Sequence, residues 1–283
     1  MLNPEKKYLV TGGSGFLGSR LIARLISEGI KNLVVVARDE GKLIALKAKF
    51  PELEIITGDI ADPVVAQKAC HGCDGIFHLA AFKHIGLAEN NAWTCIQSNV
   101  TGTMNLLKES NATIFDFFVF VSTDKAANMK GVYGASKLIG EKLVTEFAKM
   151  NPETKYLSIR FGNIWRSTGS FIEKWQSLME SGKEVVLTDP AATRFFLKAE
   201  RAVDLIMQNV GAEGLLFPKM KAINMGTVLE ACHQVFGPSP VKITGLQEGE
   251  NMHETIDGKI FSGDVTQFTK DEFIDEFLMS EVL

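Results

Sequence analysis

Two pairs of polar residues lie close together in the stretch STDKAANMKGVYGASK, residues 122–137. Asp124 and Lys125 follow an apolar run typical of a buried strand, and they supply a candidate acid and a candidate base. Tyr133 and Lys137 are four residues apart at the start of a helical pattern, so they share one helix face. A nearby lysine lowers the pKa of a tyrosine hydroxyl, which lets the phenolate take the proton of a substrate hydroxyl that loses hydride.

Taken alone, neither pair is specific. A tyrosine and a lysine at this spacing are common on helix surfaces, and an adjacent Asp and Lys often form an exposed ion pair. The functional interpretation therefore depends on the elements that hold these residues.

Up to about residue 165, short β-rich apolar runs alternate with helical patterns, which is typical of a parallel sheet with crossover helices. The predicted strands are Tyr8–Thr11, Leu33–Ala37, Leu53–Thr57, Gly75–Ala80, Phe117–Ser122 and Tyr156–Phe161. The predicted helices are Gly15–Ser27, Glu40–Phe50, Pro63–Ala69, Asn91–Lys108 and Gly134–Lys149. Such sheets bind ligands at the carboxyl ends of their strands, where residues 122–125 would lie.

After Asn163 the alternation becomes less regular, with a helix predicted over Ser170–Ser181 and several short strands. We therefore predict an α/β protein: a doubly wound parallel sheet (Rossmann) with a smaller C-terminal substrate-binding lobe. Residues 1–165 would form the cofactor-binding domain and residues 166–283 the lobe, with elements that can interleave.

A glycine-rich turn lies between the first predicted strand and the first predicted helix, in the sequence YLVTGGSGFLGSRLIARLI. Gly12 permits the tight turn, Gly15 lets the backbone approach a pyrophosphate, and Gly18 allows close helix–sheet packing. The free N–H groups of the helix N-terminus would face the phosphates. This context predicts a nicotinamide dinucleotide cofactor. The residues assigned to it here are Gly12, Ser14, Gly15, Phe16 and Leu17, together with Leu79, Ala80 and Ala81 after the fourth strand, and Tyr133 and Lys137.

The end of the second strand distinguishes NADP from NAD. An acidic residue there binds the ribose 2′-hydroxyl, whereas an arginine accommodates a 2′-phosphate. Arg38 follows the strand directly, so we predict NADP, although a solvated loop cation is the alternative. Asp59 and Ile60 after the third strand are assigned to the adenine side, where an ordinary aspartate in a turn is equally consistent with the sequence.

Composition limits the other partners. The formal net charge is −4 and charged residues of both signs are interspersed, which argues against a nucleic-acid binder. The sequence has no apolar run of membrane-spanning length and no signal-peptide pattern at its start, so we expect a cytoplasmic protein. Cys70 and Cys73 form a CxxC without further ligands at useful spacing, so we predict no metal.

Several motifs together resemble a known family. TGGSGFLG, HLAA and YGASK resemble the extended short-chain dehydrogenase/reductases that act on nucleotide sugars. The stretches FHLAAFKH, SNVTGTMNLL, VSTDKAANMKGVYGASK, SIRFGN, TDPAATRFF and GENMHE resemble its polysaccharide-biosynthesis branch, which contains the inverting UDP-N-acetylglucosamine 4,6-dehydratases. The resemblance covers residues 8–254. Its most specific part is Thr-Asp-Lys at 123–125, because retaining dehydratases have Thr-Asp-Glu there and simple 4-epimerases usually lack the pair.

The resemblance implies a division of roles. Tyr133, tuned by Lys137, would deprotonate the C4 hydroxyl while hydride passes to the nicotinamide, and Thr123 would bond the C4 oxygen. Lys125 would remove the C5 proton if burial near Lys137 keeps it neutral. Asp124 would help protonate the departing C6 hydroxyl. Hydride return to C6 and protonation of C5 from the opposite face would then give an inverted 4-keto-6-deoxy sugar.

The resemblance also implies substrate contacts. Lys83 and His84 would line the nicotinamide and sugar side of the cleft, although His84 is equally consistent with a packed loop histidine. Asn99 would support the active-site helix. The residues expected to face a UDP moiety are Asn163, Thr193, Arg194 and Glu254.

The chain departs from the family pattern at several positions on the nucleotide-sugar side. Thr168 stands where an arginine is expected and Arg166 where a glycine is expected. Gln247 and Asn251 replace cations, and Asn128 is not followed by the usual proline. These departures affect the predicted sugar and its binding mode more than the redox centre.

Two alternatives remain open at this point. An epimerase or reductase on the same scaffold is one, and Lys125 argues against it. A non-catalytic NADP-binding protein is the other, and the presence of Asp124, Lys125, Tyr133 and Lys137 together argues against it. The resemblance further implies a homo-oligomer, formed through the helices Asn91–Lys108 and Gly134–Lys149.

Overall fold

The structure, a computed structural model, describes residues 2–279 of the 283-residue chain. The strands are β1 (Tyr8–Thr11), β2 (Leu33–Ala37), β3 (Glu54–Thr57), β4 (Gly75–His78), β5 (Phe117–Thr123), β6 (Lys155–Phe161), β7 (Asn163–Ile164), β8 (Val185–Leu187), β9 (Thr193–Leu197), β10 (Gly214–Leu216), β11 (Ala222–Asn224) and β12 (Val241–Ile243).

The helices alternate with these strands. The α-helices are α1 (Phe16–Ser27), α2 (Glu40–Lys49), α3 (Pro63–Cys70), α4 (Ile85–Asn90), α5 (Ala92–Ile96), α6 (Gly102–Glu109), α7 (Val132–Met150), α8 (Phe171–Glu180), α9 (Ala199–Gln208), α10 (Met225–Phe236) and α11 (Lys270–Phe273). Two π-helical segments cover Gln97–Thr101 and Ile274–Leu278, and a 3₁₀ turn covers Asp124–Ala126.

Seven strands form one parallel sheet in the order β10-β6-β5-β4-β1-β2-β3. Alternate residues of a strand face opposite sides, so Tyr8 and Val10 pack with α1 and α9, while Leu9 packs with α3, α6 and α7. Helices therefore cover both faces, and the predicted doubly wound α/β fold is confirmed.

The six strands predicted from sequence are all present, with small changes at their ends. The fourth strand ends at His78 rather than Ala80. The backbone N–H groups of Leu79 and Ala80 both donate to the Thr11 hydroxyl, at 3.2 and 3.1 Å, and this turns the chain away from the sheet.

The predicted helix Asn91–Lys108 is interrupted. It consists of α5, a π-helical segment and α6, and it is preceded by α4, which was not predicted. In the π-helical segment, the Asn99 side chain leaves its own helix and bonds both backbone groups of Phe82, at 2.7 Å to the N–H and 2.9 Å to the carbonyl. Inserted π-turns of this kind often lie at functional sites.

The C-terminal half contributes to both parts of the fold. A smaller cluster packs around Trp165, Phe196, Phe273 and Phe277, with α8 and α10 beside it. Between these elements, α9 returns to pack on α1 and β10 adds the seventh strand beside β6. The boundary predicted at residue 165 therefore does not separate the two parts, which interleave.

Candidate active site

The carboxyl ends of β1, β2, β4, β5 and β6 border a cleft of about 830 Å³. Every residue assigned to the cofactor from sequence borders this cleft, as do Lys83, His84 and Asn163. Of the five predicted catalytic residues, Thr123, Lys125, Tyr133 and Lys137 border it. Asp124, Thr193, Arg194 and Glu254 are not among the residues that border it.

The glycine turn has the geometry of a dinucleotide cradle. Gly12 adopts a φ of 67°, and a Cβ there would lie 2.8 Å from Cα of Ala80. A Cβ on Gly18 would lie 2.4 Å from the carbonyl oxygen of Gly12. Both contacts exclude any side chain, so the turn and α1 approach each other closely. Within residues 2–279, no side chain caps the N-terminus of α1, so its N–H groups remain directed at the cleft.

Arg38 lies beside the cleft directly after β2, with its Nη1 3.6 Å from Oδ2 of Asp59. Both side chains are more than one-third exposed, so this ion pair adds little stability. The next residue, Asp39, accepts the N–H of Lys42 at 3.0 Å and caps α2. Arg38 and Asp39 both border the cleft, but the Asp39 carboxylate is engaged in capping its own helix.

A buried chain of hydrogen bonds supports the glycine turn from below. His78 joins the hydroxyls of Thr11 at 2.7 Å and Thr103 at 2.8 Å, and Thr103 donates to the carbonyl of Asn99 at 2.6 Å. Burial, assisted by the charge of Lys137, holds the pKa of His78 well below its ordinary value. A neutral imidazole can donate from one nitrogen and accept at the other, which this chain requires.

Strand β5 delivers Thr123 and Asp124 at its carboxyl end. The Thr123 hydroxyl donates to Oδ1 of Asp124 at 2.9 Å, and Lys125 Nζ donates to the same oxygen at 3.0 Å. Asp124 is fully buried, and its Oδ2 has no hydrogen-bond partner among the described residues. Asp124 therefore acts on the cleft through Thr123 and Lys125.

Lys125 lies between two carboxylates, because Glu254 Oε1 is 3.7 Å from its Nζ. Burial lowers the pKa of Lys125, but Asp124 and Glu254 outweigh burial and raise it above its ordinary value. From sequence, the role of Lys125 as a base depended on burial near Lys137 keeping it neutral. In this arrangement the two carboxylates instead favour the charged lysine.

Lys137 is the lysine that loses its charge most readily. Its Nζ lies 3.9 Å from the centre of the Phe120 ring, and burial lowers its pKa to about 7. Glu141, one turn further along α7, offsets burial only in part. Its carboxylate is held by Arg160, at 2.8 Å to Nε and 2.7 Å to Nη2.

Tyr133 has a pKa above its ordinary value, because burial outweighs the opposing effects of Lys125 and of a hydrogen bond with Thr123. The sequence predicted that Lys137 lowers this pKa. The structure instead assigns the lowering influence to Lys125, and the net direction is upward. Tyr133 is therefore protonated at neutral pH until another charge at the cleft stabilises the phenolate.

Asn99 connects the cleft to the helix that carries Tyr133. Besides holding Phe82, its Nδ2 donates to the Ser136 hydroxyl at 2.9 Å, and Ser136 donates to the carbonyl of Tyr133 at 2.7 Å. The expectation that Asn99 supports the active-site helix agrees with these contacts.

Lys83, His84 and Arg166 also border the cleft. Burial lowers the pKa of Lys83, and Glu173 offsets this in part. Gly169 adopts a φ of 75°, and a Cβ there would lie 2.6 Å from Cε1 of His84. Arg166 also has a left-handed backbone, with a φ of 50°, which costs a non-glycine residue energy.

Thr193, Arg194 and Glu254 lie on the smaller lobe beside Lys125. The Thr193 hydroxyl contacts His253 Nδ1 at 2.8 Å and the Ser262 hydroxyl at 2.6 Å. Arg194 donates to the carbonyls of Thr193 and Met252, at 2.9 and 3.1 Å, and its Nε is 4.0 Å from Glu254 Oε1. None of these three residues is among those that border the cleft, and Glu254 meets Lys125 beside it.

Two positions that depart from the family pattern contact each other. The Asn251 amide donates to the carbonyl of Asn128 at 3.0 Å and to Glu254 Oε2 at 3.3 Å. Asn251 is buried, so the residue that replaces a cation serves as a bridge between the catalytic turn and the smaller lobe.

Sequence reasoning missed the buried pair of Glu141 and Arg160 and the role of Glu89. Ser122 donates to Glu141 at 2.5 Å, which ties the end of β5 to α7. Glu89 on α4 accepts the N–H of Val132 at 2.8 Å and so caps α7. The position of Glu141, four residues after Lys137 on the same helix face, was the available signal for the Glu141–Arg160 pair. Nothing in the sequence indicates which helix Glu89 contacts.

Within residues 2–279, no helix is both long and apolar enough to cross a membrane. Across the same residues, no group of three or more His, Cys, Asp and Glu side chains is arranged to hold a metal ion. The four cysteines are buried and free, and burial raises the pKa of Cys73 to about 12.

Known proteins resemble this chain over most of its length. The inverting UDP-N-acetylglucosamine 4,6-dehydratase of Campylobacter jejuni is 30% identical over 263 residues, covering 89% of this chain and 77% of the relative. The UDP-glucose 4-epimerase of Rickettsia canadensis is 30% identical over 264 residues, with the same coverage. A Methanocaldococcus jannaschii protein, described as an uncharacterized membrane protein, is 30% identical over 268 residues, covering 89% of this chain and 80% of its own.

Solved structures share the fold. The protein Pen from Bacillus thuringiensis matches with a TM-score of 0.91 and 25% identity, covering 98% of both chains. The UDP-glucuronic acid 4-epimerase of Bacillus cereus, in complex with UDP-glucuronic acid and NAD, matches with a TM-score of 0.80 and 17% identity. That match covers 95% of this chain and 96% of the epimerase.

A Rossmann sheet with a glycine cradle and a Tyr-x₃-Lys helix at one cleft defines an extended short-chain dehydrogenase/reductase. Residues 8–272 match the model of the polysaccharide biosynthesis protein family, and the chain belongs to that family. It is an enzyme of the nucleotide-sugar dehydratase and epimerase group. The cradle and the family together support a nicotinamide cofactor.

Proposed function

We propose that this enzyme is an inverting nucleotide-sugar 4,6-dehydratase that acts on UDP-N-acetylglucosamine and releases a 4-keto-6-deoxy sugar nucleotide. The observation that carries the proposal is the Lys125 ammonium, bound to Asp124 at 3.0 Å at the edge of the cleft that Tyr133 also borders. Oxidation alone needs only Tyr133 and Lys137. Elimination also needs a group that takes a proton from C5 and one that protonates the departing hydroxyl at C6.

A nicotinamide cofactor bound in the cradle would supply the hydride chemistry at C4 and C6 of the sugar. The residues that would hold it are Gly12, Gly15 and Lys137, with Arg38 beside its adenosine ribose. We propose NADP, because Arg38 borders the cleft, while the carboxylate of Asp39, which also borders it, is engaged as the cap of α2.

Tyr133 takes the proton of the C4 hydroxyl, and Thr123, which also borders the cleft, orients the C4 oxygen. Tyr133 starts from a raised pKa, so the nearby cation of Lys125 matters for forming the phenolate. The ketone at C4 then acidifies the C5 proton.

Lys125 takes the C5 proton as a neutral amine and, as the ammonium, protonates the C6 hydroxyl, which leaves as water. Asp124 does not border the cleft, so its part is to stabilise the ammonium and orient it. A solvent proton added to C5 from the opposite face gives the inverted product.

The alternative within the same group is a 4-epimerase, and the Rickettsia canadensis relative keeps it under consideration. An epimerase needs no group at C5, so Lys125 would be unexplained. Incubation with UDP-N-acetylglucosamine and catalytic NADP in deuterated water separates the two, with products followed by NMR. A 4-keto-6-deoxy product with deuterium at C5 supports the dehydratase, whereas a C4 epimer without deuterium at C5 refutes it.

We also propose that the enzyme is a cytoplasmic homo-oligomer. Trp93, Ile96 and Ile139, on the helices predicted to form the interface, are 74%, 41% and 47% exposed. A second copy of the chain would cover them by pairing the same helices. Light scattering of the parent and of Trp93→Glu tests this: the parent is expected to be larger than one chain, and an unchanged mass in the variant would contradict the assigned face.

A further inference from the structure

Four ionisable side chains form a cluster beside the cleft: Asp124, Lys125, Arg194 and Glu254. Lys125 Nζ lies 3.0 Å from Asp124 Oδ1 and 3.7 Å from Glu254 Oε1. Arg194 Nε lies 4.0 Å from the same oxygen of Glu254. The cluster contains two carboxylates and two basic groups. It is electrically balanced when Lys125 is charged and both carboxylates are ionised, or when Lys125 is neutral and one carboxylate is protonated.

The two carboxylates differ in how firmly their charge is held. Asp124 Oδ1 accepts hydrogen bonds from Thr123 and Lys125 at 2.9 and 3.0 Å, and short donors of this kind stabilise an ionised carboxylate. Within the described part of the chain, the polar side-chain contacts of Glu254 are longer, from 3.3 Å to Asn251 up to 4.0 Å to Arg194. Glu254 is 2% exposed, and burial raises its pKa although Lys125 opposes this.

We propose that Glu254 is a positioning residue that accepts the proton of Lys125 and so makes Lys125 neutral for its attack on the C5 proton. This inference rests on the proposed dehydratase function. In the step, an Nζ–H bond of the ammonium breaks and an O–H bond forms on Glu254. An ion pair becomes a neutral pair, and no proton is exchanged with solvent. When the reaction is complete, the proton returns from Glu254 to Lys125.

The proposal predicts an unusual pH dependence. The charged groups that face Lys125 are Asp124 on its own turn, Glu254 and Arg194 on the smaller lobe, and the titratable Tyr133 on α7. While Lys125 and Glu254 share one proton, the fraction of neutral Lys125 does not change with pH. Without Glu254, Asp124 still favours the charged form of Lys125. The ammonium must then lose its proton to solvent before Lys125 can act as a base. The neutral fraction then rises about tenfold for each pH unit.

Glu254→Gln tests this through the rate of deuterium exchange at C5 of the sugar. The ratio of the variant rate to the parent rate cancels the steps that both share. From about pH 6 to about pH 8 we expect this ratio to rise about tenfold per unit. Glu254→Asp keeps a carboxylate and should restore a constant ratio. Glu248→Gln removes the same charge from an exposed position of the same segment and should match the parent. A constant ratio in Glu254→Gln would overturn the proposal.

A second measurement does not depend on turnover. NMR titration of the protein with ¹³C-labelled lysine side chains gives the pKa of Lys125, assigned by its loss in Lys125→Met. We expect this pKa to fall by at least about one unit in Glu254→Gln, since one of two neighbouring carboxylates is removed. An unchanged Lys125 titration overturns the inference whatever the activity. If Glu254→Gln does not fold, the titration of Glu254 in Lys125→Met decides, with a rise in its pKa expected. The two proposals can fail separately. If the parent shows no C5 exchange with any nucleotide sugar tested, while the pKa of Lys125 still depends on Glu254, then the dehydratase function is refuted but the proton shared by Lys125 and Glu254 is not.

Discussion

The side-chain amide of Asn251 donates to the backbone carbonyl of Asn128 at 3.0 Å, across 123 positions of the chain. This bond fastens the smaller lobe to the turn that follows Lys125. The same amide donates to the Glu254 carboxylate at 3.3 Å. One side chain therefore fixes the position of Glu254 relative to the turn that carries Asp124 and Lys125.

Asn251→Ala should lower the free energy of unfolding by about 1–3 kcal/mol, because it removes the amide that donates to the buried carboxylate of Glu254 and to the carbonyl of Asn128. Urea denaturation measures the change. Gln247→Ala, an exposed position in the same segment, should have almost no effect. Equal losses in the two variants would mean that the bridge contributes nothing specific.

Tyr133→Phe should reduce the rate of substrate oxidation by about 10²–10⁴-fold, since it removes the group that takes the C4 hydroxyl proton. Formation of the reduced nicotinamide in a single turnover measures this step directly. Tyr156→Phe is the control, because that hydroxyl bonds Ser110 at 2.7 Å, buried away from the cleft. It should cost about 1 kcal/mol of stability but leave oxidation unchanged. Oxidation at the parent rate in Tyr133→Phe would remove the tyrosine from the mechanism.

Arg38→Ala should weaken NADPH binding by about 10- to 100-fold, the loss expected for a hydrogen bond to a charged phosphate. NADH has no 2′-phosphate, so its affinity in the same variant should change little and provides the internal control. Fluorescence titration of both cofactors gives the ratio. If NADH binds more tightly than NADPH to the parent, the assignment of NADP is wrong.

Lys137 makes stability depend on pH in a defined direction. Its pKa is about 7 in the folded protein and 10.5 in the reference state, so between these values the unfolded chain carries a proton that the folded chain lacks. Stability from this residue therefore rises with pH across that range, by about 1.4 kcal/mol per unit. Below about pH 7 the full cost of burying the charge remains.

Lys137→Met should remove this slope. The difference in unfolding free energy between variant and parent, measured at several pH values, should be largest near pH 7 and shrink towards about pH 10. Lys142→Met changes an exposed lysine of the same helix and should give a difference that is flat with pH. A flat difference for Lys137→Met as well would show that the buried lysine keeps its ordinary pKa.

The meeting of Thr123, Lys125, Tyr133 and Lys137 at one cleft could be predicted from sequence for a physical reason. Parallel strands end at the same edge of a sheet, and helix periodicity places positions four apart on one face. Both rules act over short distances along the chain. They also explain why the glycine turn and Arg38 were placed correctly beside the cleft.

The charge of Lys125 could not be predicted in this way. It depends on Glu254, which reaches it from a segment 129 positions later through the packing of the smaller lobe. Strand β10 was missed for a related reason: three largely exposed residues carry no alternating pattern, and only pairing with β6 makes them a strand. The π-helical segment at Asn99 likewise follows from its bonds to Phe82 rather than from local preference.

The return of α9 and β10 to the main sheet limits how this enzyme can be recombined with its relatives. A chimera joined at residue 165 would take with its second half a helix that covers α1 and a strand that borders β6. Arg24 on α1 also pairs with Asp204 on α9 at 3.0 Å, so these surfaces would have to match across the new junction. Exchange of substrate preference between such enzymes is therefore better sought through two separate transplants, residues 163–198 and residues 217–279, which leave the intervening helix and strand with the sheet that they complete.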